Sequence, residues 1–225
     1  MISFYIFPIE GIGLGIIIDN QGHILTNYHV VDHTRRLKVT LHDGRIFNAR
    51  VIGTDNITDL AVLKIEYKSS NFNNVVNNDN KDPNTLDSIP FAGLGDSDNL
   101  KVGQIVIAVG NPFGLTGGPT FTTGIISALN RNIQFENEVL ELNQTDATIN
   151  PWNSGGPLVN SNEEIIAINT AKIPYSHGIG FAVPVNTAKT ILQELIQYGK
   201  VKRPWLGIST IKISDRIARY YRLPN

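Results

Sequence analysis

A serine, a histidine and an aspartate of this chain lie in short motifs whose residue types could carry out nucleophilic catalysis. Ser154 lies in the glycine-rich sequence NSGGP, His29 ends the sequence TNYH, and Asp59 lies in the sequence TDL. Serine alone is a weak nucleophile, so an imidazole must accept its proton and a carboxylate must hold that imidazole in the useful tautomer. The three residues therefore form a candidate Ser-His-Asp triad, for which their presence in one chain is only weak support.

The composition restricts the classes of protein to which the chain can belong. With 225 residues and 41% hydrophobic content, it can fill the core of one large β domain or two small ones. Its 19 basic and 20 acidic residues provide no basic field for a phosphate backbone, so nucleic acid is not expected as a partner. The absence of cysteine excludes a cysteine nucleophile, a disulfide scaffold and a thiolate metal site.

The N-terminus is apolar but short. The run through Phe7 meets Pro8 and has no basic leader, which predicts a first strand rather than a signal peptide. No stretch approaches the roughly 18 to 20 apolar residues that a membrane span requires. We therefore expect a soluble chain without a membrane span, and the composition leaves its compartment open.

Short β-branched runs separated by turn signals recur along the chain in two consecutive blocks, about 1–95 and 96–185. Helical periodicity is convincing only over about 187–198, with Asn186 as the predicted N-cap and Gly199 as the stop. Because helices do not alternate with strands, a parallel α/β sheet is disfavoured. The pattern predicts an all-β fold of two antiparallel barrels of about six strands each, followed by a C-terminal helix.

Two segments between strands are predicted to be turns or loops. Asp43 and Gly44 are typical of a hairpin turn. Residues 67–87, which separate the two blocks, include an Asn-rich stretch at 71–80 that has little to bury. This composition predicts a solvated surface loop.

Collinear sequence blocks across nearly the whole chain are more specific than the triad residues alone. These blocks are residues 13–19, 24–31, 58–65, 110–115, 145–151, 153–159, 168–170 and 178–184. In content, order and spacing they resemble the signature blocks of the HtrA/Deg serine proteases. The resemblance implies a chymotrypsin-like double barrel with the active site in the cleft between the barrels, in agreement with the two predicted strand blocks.

The resemblance also implies a role for each candidate residue. His29 would be the general base, Asp59 would orient it, and Ser154 would form an acyl-enzyme with a peptide carbonyl. The backbone N–H groups of Trp152, Asn153 and Ser154 would form the oxyanion hole. The implied function is that of a serine endopeptidase acting on misfolded or flexible protein segments in protein quality control, without a cofactor or a metal.

One residue near the nucleophile departs from the family pattern. Trp152 lies two residues before Ser154, where the family has glycine. It keeps its N–H, but a residue with a Cβ reaches backbone angles open to glycine only with strain of about 1 to 3 kcal/mol. Two interpretations stay open: an active protease with an altered or gated site, and a weakened or inactive homologue that acts as a peptide-binding or chaperone module.

The resemblance assigns the substrate pocket to uncharged residues. They are Thr148, Asn169, Thr170, Ala171 and Ile179. An uncharged pocket of small to medium size predicts a preference for aliphatic side chains, because an ionic side chain would enter it unpaired. The alternative, that these residues only line the barrel core, stays open.

The C-terminal residues resemble the start of a second module. Residues 203–208 and 217–224 resemble the opening of the PDZ domain that usually follows this protease domain. The sequence therefore predicts a protease domain over 1–203 and a truncated PDZ beginning over 204–225. The resemblance further implies an extracytoplasmic or envelope-associated location and a homotrimer, for which the aromatic residues Phe4, Tyr5 and Phe7 are candidate contacts.

A metal site is the main rival from another class of enzyme. The sequence from His29 to His33, HVVDH, resembles a reversed zincin motif. Aspartate replaces the glutamate of that motif, and the valines between strand signals disfavour the helix that the motif requires. No metal is expected.

Overall fold

The structure is a computed structural model. It describes residues 4–8, 13–34, 36–66, 89–111, 118–135, 138–171, 178–204, 207–208, 213 and 215–222. Two curled antiparallel sheets dominate these residues and helices are few, which confirms the prediction of a mostly β protein and is consistent with a chymotrypsin-like fold. The predicted loop at 67–87 lies outside the described residues.

The first sheet is built from the N-terminal half of the chain. Its strands are β1 (Phe4–Pro8), β2 (Gly13–Ile17), β3 (His23–Asn27), β4 (Leu37–Thr40), β5 (Ile46–Asp55) and β6 (Leu60–Glu66). They pair in the order β1-β2-β3-β6-β5-β4, and β4 pairs again with β1. The turn predicted at Asp43 and Gly44 joins β4 to β5, with Gly44 at a φ of 86°. One helical turn, α1 (Tyr28–Val31), follows β3.

The second sheet repeats this arrangement. Its strands are β7 (Ile105–Gly110), β8 (Thr120–Phe135), β9 (Glu138–Thr145), β10 (Pro157–Val159), β11 (Ile165–Thr170) and β12 (Gly180–Pro184). They pair in the order β10-β11-β12-β9-β8-β7, and β7 pairs again with β10. A single 3₁₀ turn, Pro151–Asn153, precedes β10.

One hydrophobic cluster joins the two sheets and the main helix. Strands β2, β3, β11 and β12 are buried along their whole length, so these strands have two covered faces. The cluster includes Ile16, Leu25, Leu60 and Val62 from the first sheet, Leu142, Ile165 and Ile168 from the second, and Ala188 and Leu195 from the helix. Because each fully buried aliphatic side chain contributes about 1.5 to 3 kcal/mol, this cluster holds the sheets against each other.

Helix α2 (Val185–Tyr198) starts earlier than predicted and ends where predicted. Pro184, not Asn186, precedes its first residue, so the predicted N-cap was wrong. Asn186 lies in the first turn, where its backbone N–H donates to the hydroxyl of Ser97 at 3.1 Å. The Asn186 N–H is therefore satisfied by a side chain from a distant segment, and the local sequence gives no indication of that contact. At the other end, Gly199 adopts a left-handed φ of 74°.

No helix within the described ranges is long and apolar enough to cross a membrane. Of the C-terminal residues, the structure describes a short helix, α3 (Asp215–Tyr221). Its Tyr220 and Tyr221 are exposed.

The chain after α2 returns to the first sheet through an ion pair. Both guanidinium Nη atoms of Arg203 bind the Asp55 carboxylate, at 2.6 and 2.7 Å. Asp55 is only 5% exposed. Burial alone would raise the pKa of Asp55, but hydrogen bonds from Arg203 and Thr58 and the charge of Arg203 outweigh it and place that pKa below its ordinary value.

This ion pair predicts a defined pH dependence of stability. Because the pKa of Asp55 is lower in the folded chain, its contribution is present above the ordinary carboxyl pKa and is lost as pH falls through the lowered value. Asp55→Asn should reduce the free energy of unfolding near pH 7, and its difference from the unmodified chain should shrink below about pH 4. Urea unfolding across this pH range measures both quantities, and a difference that grows towards acid would contradict the assignment.

Candidate active site

Asp59 lies in the turn between β5 and β6, and its backbone is held on both sides. Its φ is 56°, in the left-handed region that residues with a Cβ seldom adopt. Its N–H donates to the Asn56 carbonyl at 3.2 Å. Its own carbonyl accepts from the Tyr28 N–H and from Asn27 Nδ2, each at 3.0 Å. These three hydrogen bonds fix the backbone from which the fully buried carboxylate extends.

His29 lies on the single turn α1, next to this carboxylate. Its Nδ1 is 2.8 Å from Asp59 Oδ2, and its backbone N–H donates to Oδ1 at 3.1 Å. The side chain of His29 is 28% exposed, whereas that of Asp59 is fully buried. A ring that keeps its Nδ1 proton on a carboxylate presents an unprotonated Nε2, which can accept a proton.

The carboxylate is also bound by the second sheet. Thr170, at the end of β11, is 1% exposed, and its hydroxyl donates to Asp59 Oδ2 at 3.0 Å. A buried carboxylate without such donors would be strongly unfavourable. The Asp59 carboxylate is therefore satisfied by groups from both sheets.

Ser154 lies in the turn that enters β10. Its carbonyl accepts from the Leu14 N–H of the first sheet at 2.8 Å. The next residue, Gly155, has a φ of 81°, and a Cβ there would lie 2.1 Å from the Leu14 carbonyl oxygen. Glycine is thus required both for the conformation and for the close approach of β2.

The Ser154 hydroxyl accepts a hydrogen bond from the backbone N–H of Ala171 at 3.0 Å. Ala171 follows Thr170, so consecutive residues contact the serine and the aspartate of the candidate triad. Within the part of the chain that the structure describes, no hydrogen bond joins Ser154 Oγ to His29. The structure therefore brings the three residues to one place with the serine hydroxyl turned towards Ala171.

The 3₁₀ turn before Ser154 uses N–H groups that were predicted to form an oxyanion hole. The Asn153 N–H donates to the Asn150 carbonyl at 2.9 Å, and the Ser154 N–H donates to the Pro151 carbonyl at 3.4 Å. In this conformation both N–H groups donate to backbone carbonyls of the turn, so neither points to where a substrate oxyanion would lie. The third predicted donor belongs to Trp152, whose carbonyl accepts from the backbone N–H of Asn111 at 3.4 Å.

Two of the predicted pocket residues are buried and make hydrogen bonds within the protein. Asn169 is fully buried, and its Nδ2 donates to the Pro157 carbonyl at 3.0 Å. Thr170 is buried, with its hydroxyl on the Asp59 carboxylate. β11 is buried along its whole length, so these side chains face the interior. Their burial was not predicted, because the sequence does not show which strands are covered on both faces.

The other three predicted pocket residues are accessible. Thr148 is exposed, Ala171 is partly buried beside the serine hydroxyl, and Ile179 is 37% exposed. The sequence interpretation missed that Ile149 faces Gly180, where a Cβ would lie 2.6 Å from Ile149 Cγ1. The absent side chain at Gly180 lets β12 pack closely against the buried Ile149, in the segment that leads to the serine. Ile149 directly follows Thr148 and Gly180 directly follows Ile179, so their positions next to predicted pocket residues could have drawn attention to them.

The rival metal motif is not assembled. Helix α1 ends at Val31, so His29 and His33 do not share a helical face. The side chain of His33 is 94% exposed and lies against Asp32. Among the described residues, no group of three or more His, Cys, Asp or Glu side chains could hold a metal ion.

Comparison with known proteins gives a consistent assignment. Residues 13–168 match the family described as trypsin-like peptidase domain. The solved structure of the HtrA-type protease AlgW with a tripeptide is similar with a TM-score of 0.80 and 38% identity, over 99% of this chain and 68% of that chain. This chain belongs to the HtrA/Deg family of serine proteases.

Longer HtrA/Deg relatives show the same similarity. The HhoA protein of Synechocystis is 46% identical over 221 residues, which are 96% of this chain and 51% of that protein. The periplasmic pH-dependent serine endoprotease DegQ of Escherichia coli is 43% identical over 96% of this chain and 44% of that protein. The chain thus spans about half the length of these relatives.

The bond between the sheets at Asp59 gives a stability prediction. Thr170→Val should reduce the free energy of unfolding by about 1 to 3 kcal/mol, because a buried carboxylate loses a donor. Thr190→Val is the matched control, since that hydroxyl is exposed on α2, and it should change stability by less than about 0.5 kcal/mol. Denaturant unfolding measures both, and equal losses would show that the Thr170 hydroxyl does not support the carboxylate.

Proposed function

We propose that this chain is a serine endopeptidase that hydrolyses peptide bonds in misfolded or flexible protein segments. The observation that carries the proposal is the 2.8 Å contact between His29 Nδ1 and the buried Asp59 carboxylate, next to the serine turn. Membership of the HtrA/Deg family supports the same activity. A role in protein quality control is part of this proposal.

In the proposed reaction, Ser154 Oγ attacks the scissile carbonyl while His29 Nε2 accepts its proton. Asp59 holds the ring and stabilises the imidazolium that forms. His29 then donates the proton to the leaving amine, and water hydrolyses the acyl-enzyme by the same route. For the first step the serine hydroxyl must leave the Ala171 N–H, and we propose rotation about the Ser154 χ1 as that movement.

The oxyanion hole requires a local rearrangement in this proposal. Rotation of the peptide between Pro151 and Trp152 would release the Ser154 N–H from its 3.4 Å bond and turn the Trp152 N–H towards the oxyanion. The Asn153 N–H would stay on the Asn150 carbonyl, where its 2.9 Å bond is shorter. Because a tryptophan reaches glycine-like angles only with strain, Trp152 favours the closed turn and makes the site gated.

The domain organisation is proposed on the same basis. Each curled sheet corresponds to one six-stranded barrel of a chymotrypsin-like fold, supported by the ring of strand pairs in each sheet. The protease domain extends over 1–203, supported by the return of Arg203 to Asp55. Residues 204–225 then form the beginning of a PDZ domain.

The substrate pocket is proposed to be bordered by Thr148, Ala171 and Ile179, with Ile149 facing Gly180 beside it. None of these residues is charged, so the pocket favours an aliphatic side chain before the scissile bond. In a peptide library, peptides with a basic or acidic side chain at that position should be cleaved far more slowly than peptides with an aliphatic one.

The partners are proposed to be extended segments of unfolded protein. Solved structures of AlgW contain a tripeptide or a decapeptide, and DegQ is named as periplasmic. We extend both features to this chain as an extracytoplasmic location and peptide substrates. A homotrimer with contacts at Phe4, Tyr5 and Phe7 is proposed from family membership, and a monomeric mass in light scattering would contradict it.

Labelling with a fluorophosphonate probe, read by intact mass, tests the proposed activity. The chain should gain one probe molecule and Ser154→Ala should gain none, because labelling needs an activated serine and an open oxyanion hole. Trp152→Gly should label faster, since glycine opens the turn without strain. If only Trp152→Gly is labelled, the natural chain is a blocked relative and peptide binding describes its function better.

A further inference from the structure

A chain of contacts leads from the segment after α2 to the aspartate of the candidate triad. Arg203 binds both oxygens of the Asp55 carboxylate, at 2.6 and 2.7 Å. Asp55 Oδ2 in turn accepts from the Thr58 hydroxyl at 2.6 Å and from the Thr58 N–H at 3.2 Å. Thr58 immediately precedes Asp59.

We infer that Arg203 is a positioning residue for Asp59, acting through Asp55 and Thr58 to hold the turn that places the carboxylate on His29. This inference rests on the proposed protease function. It adds to that function a residue that lies beyond the segment, 13–168, that matches the trypsin-like family.

The turn that carries Asp59 needs this support. Asp59 has a φ of 56°, which is unfavourable for a residue with a Cβ and persists only where the surroundings enforce it. The Asp55 carboxylate closes the turn from inside by binding both donors of Thr58. If that carboxylate rotated away, the bond from the Asp59 N–H to the Asn56 carbonyl would be left to hold the N-terminal side of Asp59.

Arg203 prevents that rotation. Its planar guanidinium holds the carboxylate at two points, which fixes the plane of the carboxylate as well as its position. Asp55 is 5% exposed, so without Arg203 the charged group would turn towards water to recover its hydration. A lysine could neutralise the charge but would not fix the plane.

The position of Arg203 is itself set by α2. The Gly199 carbonyl at the end of α2 accepts from the Thr54 N–H of β5 at 3.2 Å, and the Lys202 N–H donates to Glu194 Oε2 at 2.8 Å. These bonds fix the chain on either side of the turn from α2 to Arg203. The orientation of Asp59 is therefore linked to the docking of the C-terminal segment.

The test compares Arg203→Met, which removes the charge and the fork, with Lys202→Met as the matched control. Lys202 is the adjacent cation. Its ammonium lies 4.4 Å from the centroid of the Tyr198 ring, and the hydrogen bonds from the guanidinium to Asp55 come from Arg203. Turnover of a fluorogenic peptide with an aliphatic residue before the scissile bond is measured well below the unfolding temperature of every variant. Folding of each variant is checked by circular dichroism.

The expected result is a fall in kcat of about tenfold for Arg203→Met, with KM within about twofold, because the base is misoriented while the pocket is untouched. Lys202→Met should match the unmodified chain, and Arg203→Lys should recover part of the loss. In an Asp55→Asn background, Arg203→Met should have little further effect, since both changes break the same contact.

Two results would overturn the inference while leaving the proposed function intact. The first is an active chain in which Arg203→Met and Lys202→Met have equal kcat, even where Arg203→Met unfolds at a lower temperature. The second is a full loss of kcat on adding Arg203→Met to Asp55→Asn, since Arg203 would then act by another route. A chain that neither cleaves the peptide nor reacts with a fluorophosphonate would instead overturn the proposed function, and this inference with it.

Discussion

The buried carboxylate of Asp59 is the constraint on which the rest of this structure depends. A carboxylate without contact with water must accept hydrogen bonds from the protein, or it would be neutralised or would move to the surface. Asp59 accepts them from His29 on the first sheet and from Thr170 on the second. The carboxylate therefore receives its full set of donors only when the two sheets are packed together, which links the candidate site to the sheet interface.

The turn that carries Ser154 also depends on contact between the two sheets. It belongs to the second sheet, yet its carbonyl is held by the Leu14 N–H of β2. Gly155 allows the two backbones to approach to a distance that no side chain would permit. Each sheet therefore fixes a component of the site carried by the other. The buried cluster that joins the sheets and α2 supplies the hydrophobic free energy for this arrangement.

The sequence predicted what is encoded locally and missed what depends on distant contacts. Strand runs and the candidate triad motifs around His29 and Ser154 have local signatures, and the stop of α2 at Gly199 follows from one residue. The start of α2 was misplaced because its donor is satisfied by Ser97, 89 positions away in sequence. The full burial of Asn169 was not predicted, because no local pattern distinguishes a strand covered on both faces from one that borders a cleft. The engagement of the Asn153 and Ser154 N–H groups depends on the conformation of the 3₁₀ turn, which composition does not determine.

The most direct test of the central claim is the proton NMR signal of His29 Nδ1–H, assigned by its coupling to ¹⁵N. If the buried carboxylate accepts a hydrogen bond from this N–H, the resonance lies far downfield of the backbone amides and disappears from that region in Asp59→Asn. A folded chain in which His29 shows no downfield Nδ1 proton, or one that Asp59→Asn leaves unchanged, would contradict the account.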